Sequence, residues 1–232
     1  MSEALERVRG ITELPLFPLA VVLFPGTPLP LHIFEDRYRE MLKDARARDN
    51  LFGLSYFDPK DSGLDMPPAG HVGCVADIRE AQELPDGRSN ILTVGLIRFR
   101  LESYTEVNAP YLVGRVAFFE DEEEDIDLLA PRAEQVTELF LRIAQAVRTM
   151  NDERAALPEL PETEPEHLSF LVAAAMELDV TVKQELLELT FTSERLKRLH
   201  DLLSRAVKGY EERARIHHVA RGNGHSKTKI EI

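Results

Sequence analysis

Tryptophan is absent from the 232 residues, and cysteine occurs once, at Cys74. A single cysteine excludes an internal disulfide and a cysteine-based zinc cluster, and it suits a reducing compartment. Basic residues are in the minority, with 28 Lys and Arg against 41 Asp and Glu, a formal net charge of −13. Nucleic-acid binding needs clustered Lys and Arg to neutralise phosphates, so this deficit argues against it. No apolar run is long enough to span a bilayer, because the longest, at 14–33, is cut repeatedly by proline. The opening MSEALERVRG lacks an apolar signal core. No G-x-S-x-G elbow occurs, and the segment nearest to a phosphate loop, 222–228 (GNGHSKT), lacks the glycine before Lys227 and follows no expected strand. The expectation is a cytoplasmic protein with no catalytic residues, no metal and no cofactor.

What remains is ordinary globular material, 44% hydrophobic and 30% charged, at a length that suits one large or two small domains. The chain is organised around Leu14–Asp44. Its first half carries Pro15, Pro18, Pro25, Pro28 and Pro30 among apolar residues. Neither a helix nor a buried central strand accommodates that load, so two short strands are expected, near 14–19 and 27–33, joined by a turn at Phe24-Pro25-Gly26. From Phe34 the apolar positions are Phe34, Tyr38, Met41, Leu42 and Ala45, a helical spacing that follows the second strand without a break.

Further strands are expected at 51–57 and 71–85, then at 89–100 after the Asp86-Gly87 hairpin turn, and at 111–119 after Asn108-Ala109-Pro110. Gly95 suggests a bulge, and Arg98-Phe99-Arg100-Leu101 alternates as a half-buried strand does. The acidic run from Glu120 (EDEEEDID) marks a change of character. Helices are expected from Pro131, from Pro165, after Thr181 and after Thr192. The domain reading is a β-rich domain over 1–119, a helical bundle over 120–221 and a disordered tail over 222–232, with a flexible loop at 58–70.

The pattern L-P-L-F-P-L-x-x-V-L-F-P-G-x-x-L-P-L-H-I-F-E-x-R-Y-R-x-M, at Leu14–Met41, resembles the opening of the N-terminal, substrate-binding domain of Lon proteases. Gly73–Ile78, Leu84–Arg88 and Val94–Arg100 are similar to that family's second block, and Lys183–Glu188 with Arg195-Leu196 to its helical part. The resemblance implies an α+β fold, a PUA-like β pseudo-barrel with an inserted helix followed by a helical bundle. It also implies a stand-alone Lon-domain protein, without ATPase or protease modules, that binds unfolded or extended polypeptide. Such a module would act in protein quality control, as an adaptor to a separate protease or chaperone, with no nucleic-acid or membrane partner.

The residues offer one candidate surface for this role, formed by Phe24, Phe34, Glu35, Asp36 and Arg39. Aromatics there would anchor a peptide and charges would form the rim. A helix starting near Glu35 would set Glu35 and Arg39 on one face as an i, i+4 ion pair. The competing arrangement buries Phe24, Phe34 and Tyr38 in the barrel. His32, between two apolar residues, reads as a packed or hydrogen-bonded histidine, and Cys74 as a buried thiol. His217-His218 and His225 read as solvated rather than metal-binding. A PUA-like nucleic-acid binder and a small-molecule binder with an enclosed pocket are the alternatives.

Overall fold

The structure, a computed structural model, describes residues 2–58, 60, 66–152 and 163–223. Residues 59 and 61–65 of the expected 58–70 loop and the tail beyond Asn223 lie outside the described residues. The strands are β1 (Glu13–Leu19), β2 (Pro28–Ile33), β3 (Leu51–Tyr56), β4 (Val72–Glu83), β5 (Ser89–Tyr104) and β6 (Leu112–Phe119). The helices are α1 (Glu3–Arg7), α2 (Asp36–Arg46), α3 (Ile126–Met150), α4 (Pro165–Ala175), α5 (Val180–Glu188) and α6 (Thr192–Asn223). The class is α+β. Two compact units form: Met1–Glu122 with Ala173–Thr190, and Glu123–Val172 with Phe191–Ile232. The reading of 120–221 as one bundle therefore needs amending, because α5 belongs to the β-rich unit.

Strand order is β2-β5-β4-β3-β1-β6, and β6 returns to pair with β5, so the sheet closes into a barrel with β2 as an appended edge. Closure depends on the length of β5. Its first part pairs with β2 through Ser89–Val94, and its second part pairs with β6 through Arg98–Tyr104. The two proline-rich strands are thus not a hairpin: β1 pairs with β3 and β6, β2 with β5. Contrary to the sequence reading, β1 is a central strand that carries prolines. It does so because its pairing is staggered. Among the described residues, Pro15 lies where β1 has only β6 as a strand partner, and Pro18 where it has only β3, so each missing N–H falls on an unpaired flank of the strand.

The barrel is filled by Leu14, Leu16, Leu51, Val75, Ile97, Phe99, Leu101 and Val116. Phe99 needs the room left by two glycines. A Cβ on Gly53 would lie 2.8 Å from its ring and one on Gly73 2.5 Å from it. A second cluster lies between the sheet and α2, where Tyr38, Met41, Leu42 and Ala45 pack with Phe17, Phe52, Leu54, Cys74 and Ile78. Cys74 is fully buried, and burial pushes its thiol up to about 12.

α5 is bound to the barrel through polar contacts. Gln184 Nε2 donates to the Val72 carbonyl at 3.0 Å. The cap of α5 is Asp179, whose carboxylate accepts from Thr181 N, so the helix begins at Val180, just before the expected start after Thr181. Arg98 is 1% exposed; it donates to the carbonyls of Leu187 (3.0 Å) and Leu189 (2.5 Å) and to Asp121 (2.5 Å). Its neighbour by alternation, Arg100, is exposed. The acidic run is similarly absorbed into structure: Asp121 pairs with Arg98, Glu124 accepts from Ser193 N, and Asp125 caps α3.

In the second unit α3 packs beside α6, with Val136, Ile143, Leu196, Leu199 and Leu203 in the interior. α3 begins at Ile126, ahead of the expected start, and holds Pro131 within the helix. Arg195, fully buried, donates to Ser169 Oγ at 2.7 Å and lies 3.8 Å from the centre of the Phe170 ring.

His71, at the entry to β4, sets an acid limit on stability. Burial lowers its pKa, against the opposing charge of Glu188 and a hydrogen bond to the Tyr56 backbone. The folded protein therefore holds this imidazole neutral where an unfolded chain, with a pKa of about 6.5, takes a proton. The contribution is complete above that value and is lost as pH falls below it. The expected result is that wild type loses melting temperature between pH 7 and 5 more steeply than His71→Gln. Parallel melting profiles for the two proteins would remove His71 as the cause.

Candidate functional site

The junction of β2 and α2 puts its two aromatics in opposite environments. Phe24 is 0% exposed. Gly26, with φ of +74°, turns the chain back over β5, where Gly26 N donates to the Gly95 carbonyl at 2.8 Å. A Cβ on Gly95 would lie 2.1 Å from the Phe24 carbonyl oxygen, so the two backbones meet in direct contact. Phe24 is accordingly a core residue, and its expected place on an accessible surface is corrected. Tyr38 is also interior, its ring 4.1 Å from that of Phe17. Burial raises its pKa.

Phe34 is 59% exposed. In an extended strand alternate side chains face opposite ways. Ile33 is buried at 1%, which turns Phe34 outward before Glu35, at the N-cap position, opens the helix without a side-chain capping bond. His32, exposed rather than packed, stacks on it, with ring centres 6.0 Å apart and planes at 23°. Its Nδ1 is 2.7 Å from Asn90 Oδ1 on β5, and Arg88 Nη1 is 3.5 Å from its Nε2. Arg88 is also held by Asp86 at 2.6 Å, and this contact draws the Asp86 carboxyl below its usual pKa.

The ion pairs differ from the expected one. Glu35 accepts from Arg37 Nε at 2.9 Å, and Arg39 pairs with Asp36 at 2.9 Å. Glu35 precedes the helix with extended backbone, so it does not share a helical face with Arg39. Arg39 instead lies over the β4–β5 turn, where a Cβ on Gly87 would come within 2.2 Å of Nη2. Asp36 and Arg39 line a groove of about 610 Å³ between α2 and this hairpin. Its other walls are Glu40, Lys43 and Arg46 of α2, and Glu83, Gly87 and Ser89. Three acids and three bases face it, which leaves it close to neutral on a chain of net charge −13.

Of the predicted residues, the structure brings Asp36 and Arg39 into the groove, leaves Phe34 and Glu35 at the adjoining junction, and removes Phe24. Glu40, Lys43 and Arg46 went unpredicted, although their three- and four-residue spacing from Asp36 and Arg39 places them on one helix face. The hairpin wall had no such signal. Among the described residues no group of His, Cys, Asp and Glu is arranged to hold a metal. His217 is 3.1 Å from Asp152, and His225 lies outside the described residues. No described helix is long and apolar enough to cross a membrane.

These elements agree with what comparison finds. The model of the ATP-dependent protease La (LON) substrate-binding domain matches residues 13–205. The chain belongs to that family. It is 32% identical over 206 residues to Lon protease 1 of Thermus thermophilus, covering 86% of this chain and 25% of the relative. With Lon protease 2 of Herpetosiphon aurantiacus it shares 27% over 197 residues, 84% of this chain and 24% of the relative. It thus spans about a quarter of the length of these curated relatives. A Lon N-terminal domain protein from Xanthomonas campestris superposes with a TM-score of 0.57 at 25% identity, covering 82% of this chain and 97% of that one. The N-terminal domain of Mycobacterium avium complex Lon protease, at 20% identity, shares the fold with a TM-score of 0.61, over 83% and 98% of the two chains. The PUA-like barrel with an inserted helix and a helical part is the architecture of this family.

Proposed function

We propose that the chain is a polypeptide-recognition module that engages extended or unfolded segments through Phe34, Glu35, Asp36 and Arg39 and the adjoining groove. It holds what it binds without hydrolysing it, and serves protein quality control as an adaptor to a separate protease or chaperone. The observation that carries the reading is Phe34, a large aromatic left 59% exposed beside a groove of about 610 Å³. An aromatic anchor rimmed by polar groups is the usual composition of an interface hot spot. The matched family's description as a substrate-binding domain supports the same role.

The test is an anisotropy titration with labelled, reduced and carboxymethylated α-lactalbumin, which is permanently unfolded. Phe34→Ala is expected to weaken binding by more than about fivefold, the effect of losing an anchor worth over about 1 kcal/mol. Its melting temperature should stay close to wild type. Glu35→Lys removes an exposed pair with Arg37 worth about 0–1 kcal/mol, so it too should melt normally while slowing association. Unchanged affinity in a folded Phe34→Ala protein would move the binding surface elsewhere.

A further inference from the structure

Among the described residues, β2 is the terminal strand of the sheet order, with β5 as its one strand partner. A free edge of this kind offers a row of backbone groups to any extended chain, whether an unfolded polypeptide or a second copy. The direction of those groups follows from the register. Gly95 N donates to the Thr27 carbonyl at 3.0 Å while Thr27 N turns back to the Phe24 carbonyl, so Thr27 directs its carbonyl toward β5 at a hydrogen-bonding position of the ladder. Hydrogen-bonded and non-hydrogen-bonded pairs alternate along an antiparallel ladder. Continuing from Pro28↔Val94 to Ile33↔Ser89, Leu29, Leu31 and Ile33 turn their backbone groups toward β5. Thr93 Oγ1 adds a bond to the Leu29 carbonyl at 2.9 Å from the same side. Pro28, Pro30 and His32 turn theirs away, and these are also the exposed side chains of the strand.

We infer that Pro28 and Pro30 close this edge to strand addition. Of the three outward positions, only His32 keeps an N–H, so an incoming strand loses two of the three donors it would need. Neither proline costs the sheet a bond to β5, because the N–H each lacks would have faced away from it. A polypeptide engaged near Phe34 is then held by its side chains and stays out of the sheet. The inference rests on the register of β2 and stands whether or not Phe34 is an anchor.

The experiment uses the full chain, wild type and Pro28→Thr/Pro30→Thr, with a seven-residue alternating Val/Thr peptide as probe. A copy of the peptide N-methylated at alternate residues lacks the donors of its pairing edge. Wild type is expected to show no preference between the peptides. The double variant should bind the unmethylated peptide at least tenfold tighter than wild type does, and the methylated copy no better than wild type. Without peptide, its new amides at 28 and 30 should exchange with solvent freely while 29 and 31 stay protected. Preference of wild type for the unmethylated peptide would overturn the inference. So would a folded double variant that gains no affinity, or protection of amides 28 and 30 in the free variant. Pro30→Thr alone carries the same measurements if the double variant does not fold.

Discussion

Phe24→Ala is expected to destabilise the protein by about 3–5 kcal/mol, the range for truncating a buried phenylalanine. The side chain is 0% exposed, and its own backbone is fixed on both sides. Its carbonyl accepts from Thr27 Oγ1 at 2.8 Å and from Thr27 N at 3.2 Å, while Gly95 presses against it from β5. A turn held in that way does not collapse into the space left by the ring, so the cavity persists and the cost falls toward the upper part of the range. A unit of this size responds with a fall of several degrees or more in melting temperature, at about 2–4 °C per kcal/mol. Phe34→Ala, ten positions along the same motif, should leave melting nearly untouched. The comparison is decisive because both changes delete the same atoms. A Phe24→Ala protein that melts with wild type would contradict the burial of this ring.

Arg98→Ala should produce a loss of similar size, about 3–5 kcal/mol, for an electrostatic reason. The guanidinium is 1% exposed and satisfies Asp121, itself 4% exposed, together with the carbonyls of Leu187 and Leu189. Those carbonyls lie at the C-terminal end of α5, where helical carbonyls lack internal partners and a cation is favoured. The ring of Phe119 lies 4.5 Å beneath the guanidinium. Truncation removes the guanidinium's bonds to a buried carboxylate and two carbonyls at once. Arg98→Lys keeps the charge but not the planar fork, so it should recover part of the stability and not all of it. Arg98→Met combined with Asp121→Leu removes both charges and should lie well above Arg98→Ala, since an apolar pair often replaces a buried ion pair with little loss. Chemical denaturation of the four proteins gives the comparison, and a cost below about 1 kcal/mol for Arg98→Ala would show that Arg98 does not secure α5.

Local chemistry carried a good part of the fold. Asp86-Gly87 and Asn108-Ala109-Pro110 announced their hairpins, and Tyr38, Met41, Leu42 and Ala45 announced the buried face of α2. The candidate site was half legible. Asp36 and Arg39 line the groove as their places on α2 suggest, yet the opposite wall comes from a hairpin some fifty residues away whose approach no local pattern records.

What the amino-acid sequence by itself determined is the succession of elements from β1 onward and the family, because turn residues, apolar periods and the Leu14–Met41 motif are short-range features. Which member of a repeating pattern faces inward was decided only in three dimensions. Phe24 and Phe34 sit in one motif, and a neighbouring strand covers one and not the other. Arg98 and Arg100 alternate alike, and the return of α5 from more than eighty residues away buries the first. β1 tolerates Pro15 and Pro18 because β6 and β3 flank it in staggered halves. In each case the free energy depends on a partner distant in sequence, and a pattern of near neighbours holds no information about it.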